Sequence, residues 1–317
     1  MTQSVRVTVL VENTAFGRHT RGEHGLAFWI EAGSKHVLFD TGQTPEVLLR
    51  NSESLGIDLT LTDAVVLSHG HYDHTGGLER VLQQTPGVRL FLHRRALAKR
   101  FSRQKNGSVQ EIGMPPPLDE PFLRARASSL TWTDNPTAIT DEVRATGQVP
   151  RATDYEDTGG GFYLDHTCDT PDPIEDDQAV FFDSPEGTVV LLGCAHAGVV
   201  NTLHYVQQLT GGRPIHAVIG GMHLIKASRD RMDRTVEALR RIDVGLVAPA
   251  HCTGPRAQAR LGSEYQSHWE PCHVGSRFEF RAGSGALDAR SRGGGGHSAT
   301  ARGKLRQTGW CPRAVPG

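Results

Sequence analysis

Ser68-His69-Gly70-His71-Tyr72-Asp73-His74 puts three imidazoles and one carboxylate into six positions, directly after the apolar run Ala64 to Leu67 and directly before Thr75-Gly76-Gly77-Leu78. Imidazole nitrogen and carboxylate oxygen suit zinc and comparable divalent cations. A loop leaving a strand lets closely spaced side chains converge where helical periodicity would not require it. Three imidazoles gathered on one bend call for a metal. One ion takes His69 and His71, and Asp73 with His74 faces a second a few ångströms away, with a bridging hydroxide between them. Paired ions at about 3.5–4 Å hold such a nucleophile at neutral pH and polarise a carbonyl or phosphoryl oxygen.

On either side of this bend the chain alternates strand, loop and helix, the pattern of a layered α/β protein. Val5 to Val11, Leu26 to Ile30 and Lys35 to Phe39 read as strands, the last stopping at Asp40-Thr41-Gly42. Pro45 to Leu55 has helical spacing, with Pro near its start and Gly56 just past its end. Thr75 to Gln83 reads as a helix and Val88 to Leu92 as a strand. From about 103 to 177 the periodicity weakens, and an inserted, loop-rich segment is expected. Strands return at Ala179 to Phe182, Thr188 to Leu192, His216 to Ile219 and Val244 to Val247, with helices at about Val199 to Leu209 and Arg229 to Arg241. One domain over 1–282 is expected, followed by a disordered, basic, Gly-rich tail over 283–317.

The 317 residues carry 34 Lys and Arg against 35 Asp and Glu, a net charge of −1, which argues against nucleic acid as a partner. With 37% hydrophobic and 22% charged residues the composition is that of a soluble globular protein. No apolar run approaches the roughly 20 residues of a membrane helix. The N-terminus enters a strand pattern without the features of a secretory signal, and the five cysteines include no CxxC pair. A cytoplasmic protein with no membrane partner is expected.

HxHxDH after a buried strand, preceded by a strand ending Phe39-Asp40-Thr41-Gly42, resembles the metallo-β-lactamase superfamily. Further stretches resemble its dihydropterin-methyl-aminobenzene ribofuranosyl phosphate synthase-like subgroup. These are Thr146-Gly147-Gln148-Val149-Pro150-Arg151, Asp176-Asp177-Gln178-Ala179, Gly193-Cys194-Ala195-His196-Ala197-Gly198 with Asn201-Thr202, Gly220-Gly221-Met222-His223-Leu224, and Ala250-His251-Cys252-Thr253-Gly254. The resemblance spans roughly residues 4–280. It implies an αββα sandwich with a metal site at one edge of two facing sheets, and one or two divalent ions, usually zinc, with manganese and iron as other candidates. His69, His71, Asp73 and His74 carry over as ligands. Members add a histidine, a bridging Asp or Cys and a final histidine, for which His196 and His251 are the choices. Because Gly193 is followed by Cys194 and not by Asp, three alternatives stay open: Cys194 bridges as a thiolate, His223 completes the second site, or the site holds one ion. His223 is equally a candidate substrate contact. Asp40 fits an acceptor that fixes a ligand imidazole better than a ligand itself.

The expected activity is that of a metal-dependent hydrolase acting on a small, anionic substrate through metal-bound hydroxide, oriented by Asp73. The subgroup resemblance supplies an alternative, transfer of a pterinylmethyl group from its diphosphate to an arylamine ribofuranosyl phosphate. A nuclease and an iron-dependent redox or binding protein are lesser rivals. The segment at about 103–177 is the candidate for substrate selection, because binding residues concentrate on loops held over a rigid scaffold. Several features read as structural. His93, His166, His204 and His216 are set aside as lone histidines, and Gly159 to Gly161 as ordinary loop. Arg94, Arg95, Lys99 and Arg100 read as one solvated face with a secondary prospect of receiving an anion. Cys194 with His196 as nucleophile and base is weaker than a packed thiol, and Ser68-His69 lacks the nucleophile elbow of a serine triad.

Overall fold

A computed structural model describes residues 4–104 and 106–281, so the tail expected over 283–317 lies outside the described residues. Seven strands form one mixed sheet in the spatial order Arg277–Arg281, Ser4–Val11, Ala27–Ala32, Lys35–Phe39, Ala64–Val66, Arg89–Leu92 and Ser129–Trp132. A second sheet of six runs Val247–Ala250, Ile215–Gly221, Gly187–Leu192, Ala179–Ser184, Val143–Ala145 and Thr137–Ala138. The strands that read as unbroken apolar runs are those buried on both faces: Ala64–Val66 and Gly187–Leu192 have no exposed residue.

Three apolar layers follow from this alternation. Val5, Val7, Val9, Phe28, Ile30 and Phe39 of the first sheet pack against Val180, Phe182, Leu191 and Ile219 of the second. The outer face of the first sheet is covered by the helices Pro45–Ser54, Leu78–Gln84 and Glu120–Arg126, through Leu48, Leu78, Val81, Leu82 and Leu123. Val199–Leu209, Arg229–Ile242 and Pro255–Tyr265 cover the second in the same way, through Leu203, Val206, Val236, Leu239 and Leu261. The architecture is an αββα sandwich, as expected.

Local departures have identifiable causes. The helix read over Thr75 to Gln83 is two pieces, Tyr72–Thr75 and Leu78–Gln84, separated at Gly76-Gly77. The last strand of the second sheet lies at Val247–Ala250, three residues beyond its expected start, and tolerates Pro249 because it is an edge strand. Within 103–177, Ser129–Trp132 extends the first sheet, while Thr137–Ala138 and Val143–Ala145 extend the second. Lys35–Phe39, Ala64–Val66 and Arg89–Leu92 run parallel, as do Gly187–Leu192, Ile215–Gly221 and Val247–Ala250. The loops leaving the C-terminal ends of these strands carry the histidines.

Candidate metal centre

The edge of the sandwich brings together all the residues singled out from the sequence. His69, Cys194 and His196 have donor atoms within 4.8 Å of one another, and so do His74, Cys194 and His251. His69 Nε2 lies 2.9 Å from His71 Nδ1, and His74 Nε2 lies 3.1 Å from Cys194 Sγ. Asp73 Oδ2 stands 3.2 Å from His251 Nε2 and 3.7 Å from His74 Nε2. The Cys194 sulfur is therefore common to both groups. His223 is placed one step away, in a third group with Cys194 and Cys252, its ring 4.3 Å from that of His196.

The imidazoles are oriented by what their other nitrogens touch. Asp40, at the end of Lys35–Phe39, accepts from His74 Nδ1 and from Ser68 Oγ through Oδ2, both at 2.7 Å, and from Ser68 N through Oδ1 at 2.7 Å. Its single hydroxyl proton spent on Asp40, Ser68 Oγ accepts from His69 Nδ1 at 2.8 Å. One carboxylate thereby sets the tautomer of two histidines. Gly193 makes room for it, since a Cβ there would come 2.1 Å from Ser68 Oγ. His196 Nδ1 donates to Thr158 O and His251 Nδ1 to Asn13 Oδ1, each at 2.8 Å. Each of these four rings has Nδ1 held by a partner outside the cluster, which leaves Nε2 to face its fellow donors, and Nε2 of His196 and of His251 is buried without a hydrogen bond. Pinning the far nitrogen is how proteins orient metal-binding histidines, so this donor set fits a divalent ion.

Charge follows the same division. Burial first, and neighbouring positive charge second, hold His69, His71 and His196 well below the ordinary imidazole range, leaving neutral rings with available lone pairs. Burial also opposes charge on His74, but the Asp40 and Asp73 carboxylates prevail and push it up to about 9 in the ion-free protein, so an ion bound there displaces the proton on Nε2 while Asp40 keeps the one on Nδ1. Asp73 is held well below the usual carboxylate range: burial works against its charge, and His74, His24 and His251 overcome it. Burial pushes the Cys194 thiol up.

Asp176-Asp177-Gln178 fastens the site loops to one another. Asp176 Oδ2 accepts from Gly70 N at 2.8 Å and Asp177 Oδ2 from Ala197 N at 2.8 Å, while Gln178 Nε2 donates to Leu67 O at 2.7 Å. Arg100 corrects the expectation of a solvated basic face. It is 1% exposed, donates from Nε to Asp172 Oδ2 at 2.6 Å and from Nη1 to Asp176 Oδ2 at 2.9 Å, and so braces the carboxylate that holds Gly70. Arg94 pairs with Asp134 and Arg95 with Glu175, and both of these arginines are exposed, as expected of a solvated face. Gly159 is likewise more than loop, because a Cβ there would come 1.9 Å from His223 Cδ2.

Sequence reasoning missed Phe162, Cys252 and His24 at this edge, as well as Asn13, which holds His251. Phe162, in the two-residue strand Phe162–Tyr163, lies with its ring 5.2 Å from His71, 5.3 Å from His196 and 6.0 Å from His223. Cys252 receives the His223 N–H at 3.3 Å. His24 lies against Asp73. For the last two the signal was present: a histidine between Glu23 and Gly25 ahead of an apolar run, and a cysteine beside His251. His93, His166 and His216 have other neighbours, namely Asp134, Phe101 and Phe280.

The metallo-beta-lactamase superfamily model matches residues 20–251. The chain belongs to this superfamily. The 7,8-dihydropterin-6-methyl-4-(beta-D-ribofuranosyl)-aminobenzene-5'-phosphate synthase of Methanocaldococcus jannaschii is 27% identical over 295 residues, spanning 87% of this chain and 97% of its own. Tm1679, a metal-dependent hydrolase of the beta-lactamase superfamily, has a solved structure that is 30% identical, covers 86% of this chain and 98% of its own, and superposes with a TM-score of 0.72. The metallo-beta-lactamase fold protein YhfI from Bacillus subtilis shares the fold at 12% identity and a TM-score of 0.54, over 87% of this chain and 99% of its own. Clustered metal-binding residues on this fold support a metal-dependent catalytic activity. Among the described residues no helix is long and apolar enough to cross a membrane.

Proposed function

We propose that this superfamily member is a metal-dependent hydrolase of a small anionic substrate. His69, His71, His196 and Cys194 are the donors for one ion, and Asp73, His74, His251 and Cys194 for a second. The observation that carries this assignment is the ring of imidazoles whose Nδ1 atoms are tied outward and whose Nε2 atoms converge around one thiol. Zinc is the ion this mixed nitrogen, sulfur and oxygen set suits, and when bound it supplies Lewis-acid polarisation and a nucleophile at neutral pH. Asp73 orients the attacking water. Phe162 walls the cluster on the side of the 103–177 segment and excludes bulk water from it. The anion is received at the cluster itself, where a bound ion would supply the positive charge it needs.

A second possibility rests on the whole-length similarity to the pterin-linked synthase: transfer of a pterinylmethyl group from its diphosphate to an arylamine ribofuranosyl phosphate. Metal content measured by mass spectrometry, combined with phosphate and diphosphate release assayed with and without the arylamine, separates the two. Release independent of the amine supports hydrolysis, whereas release that requires it supports transfer. A metal-loaded wild type whose rate is unchanged by His71→Ala would overturn both.

A further inference from the structure

Among the described residues, His24 is the histidine at this edge that neither the motif nor the resemblance assigns. Its Nε2 lies 3.2 Å from Asp73 Oδ2, the same separation that His251 Nε2 keeps from that oxygen. Neighbouring donors of one five-coordinate zinc at about 2.0–2.1 Å stand about 2.9–3.6 Å apart. His24, Asp73 and His251 have donor atoms within 4.8 Å of one another, and the rings of His24 and His251 have centroids 4.9 Å apart.

The backbone is built to deliver this ring. The Glu23 carboxylate accepts from Gln43 N and Thr44 N, both at 3.1 Å, and from Thr44 Oγ1 at 2.6 Å. Leu26 N donates to Asp73 O at 3.4 Å. Gly25 adopts φ 155°, and a Cβ there would come 2.6 Å from Asp73 O, so the segment approaches the HxHxDH bend as closely as backbone allows. Asn13, which orients His251, also accepts from Gly25 N, at 3.5 Å. His24 and His251 are thus held by one local framework on either side of Asp73.

The two histidines differ in access. The His24 side chain is 53% exposed, whereas those of Asp73 and His251 are 9% and 1% exposed. Asp73, His74, His251 and Cys194 already supply four donors, and catalytic zinc keeps a position open for water or substrate. A fifth protein donor held by the most solvent-accessible side chain is the one that exchanges. We propose that His24 is a displaceable ligand of the ion on the Asp73 side, bound in the resting protein and replaced by a substrate oxygen. This inference rests on the metal assignment above, and its test separates the two.

The full chain is stripped with chelator, loaded with cobalt(II), and compared with His24→Ala and His24→Gln by metal content, by competition with a chromophoric chelator and by visible absorption. The expected result is two ions in the wild type, with affinity for one of them falling at least about tenfold in both variants, as losing even an outer partner of a ligand does. The cobalt band of the variants is stronger, reflecting the lower coordination number. Inorganic phosphate exchanges one donor for another in the wild type at unchanged coordination number, whereas in the variants it fills the vacated position and weakens their band toward wild-type intensity. Equal affinity and superimposable bands in wild type and variants would overturn the role of His24 while leaving the metal centre intact. A wild type that takes up no cobalt overturns the metal assignment and this inference together.

Discussion

Asp40→Asn tests the site at its most economical point, because a single carboxylate orients imidazoles on both sides of Cys194. Asp40 accepts three hydrogen bonds of 2.7 Å, from Ser68 N, Ser68 Oγ and His74 Nδ1. Asparagine has the same shape but only one accepting oxygen. Placed toward Ser68 N, that oxygen leaves the amide N–H₂ facing Ser68 Oγ and His74 Nδ1. The hydroxyl must then donate to His69 Nδ1, and His74 Nδ1 must become an acceptor. Both changes move the ring proton to Nε2, the atom each histidine would offer to an ion. The opposite flip points N–H₂ at Ser68 N–H and leaves buried donors unpaired, at about 1–3 kcal/mol each. Loss of an outer partner lowers metal affinity about 10–100-fold, or about 1.4–2.7 kcal/mol, and here it falls on both ions. Chelator competition on the purified variant should show that loss for each ion with circular dichroism unchanged. Two ions bound within threefold of wild-type affinity would refute the claim that Asp40 sets the tautomers of His69 and His74.

Arg100→Met leaves Asp172 and Asp176 buried without their cation, and stability in urea should fall by about 3–5 kcal/mol; a loss under about 1 kcal/mol would show that the pair is not the brace of the Gly70 loop. Arg100→Lys should recover only part of it, since an ammonium cannot span two carboxylates as a planar fork does. Burial pushes Asp177 up from 3.8 to about 6, so its contribution to stability is fully present below about pH 4 and lost as pH rises through 6. In chelator-treated protein, wild type should therefore lose stability relative to Asp177→Asn between pH 4 and 7, by about 3 kcal/mol at most. Melting temperatures that run parallel for the two proteins across that interval would contradict it.

What the sequence disclosed and what it concealed divide along contact range. The HxHxDH bend was legible because its ligand types are contiguous, and the apolar runs that end at Asp40, Gly193, Met222 and Ala250 marked the strand ends on which an αββα edge is built. Arg100 departs from the sequence reading because its chain neighbours Arg94, Arg95 and Lys99 are exposed, while its partners Asp172 and Asp176 lie 72 and 76 positions downstream. Nothing local distinguishes a solvated arginine from one that a distant pair of carboxylates will bury. The same holds for Phe162, whose two-residue strand has too short a period to read, yet whose ring meets three histidines. Cys194 shows a different limit. Its residue type left three alternatives standing, and only the fold reveals that its sulfur is shared by the His69–His196 and His74–His251 groups. A thiol in that position is replaced by serine at a cost that tells bridging from packing: a bridging sulfur, once lost, weakens both ions together, whereas a packed one leaves each affinity as it was.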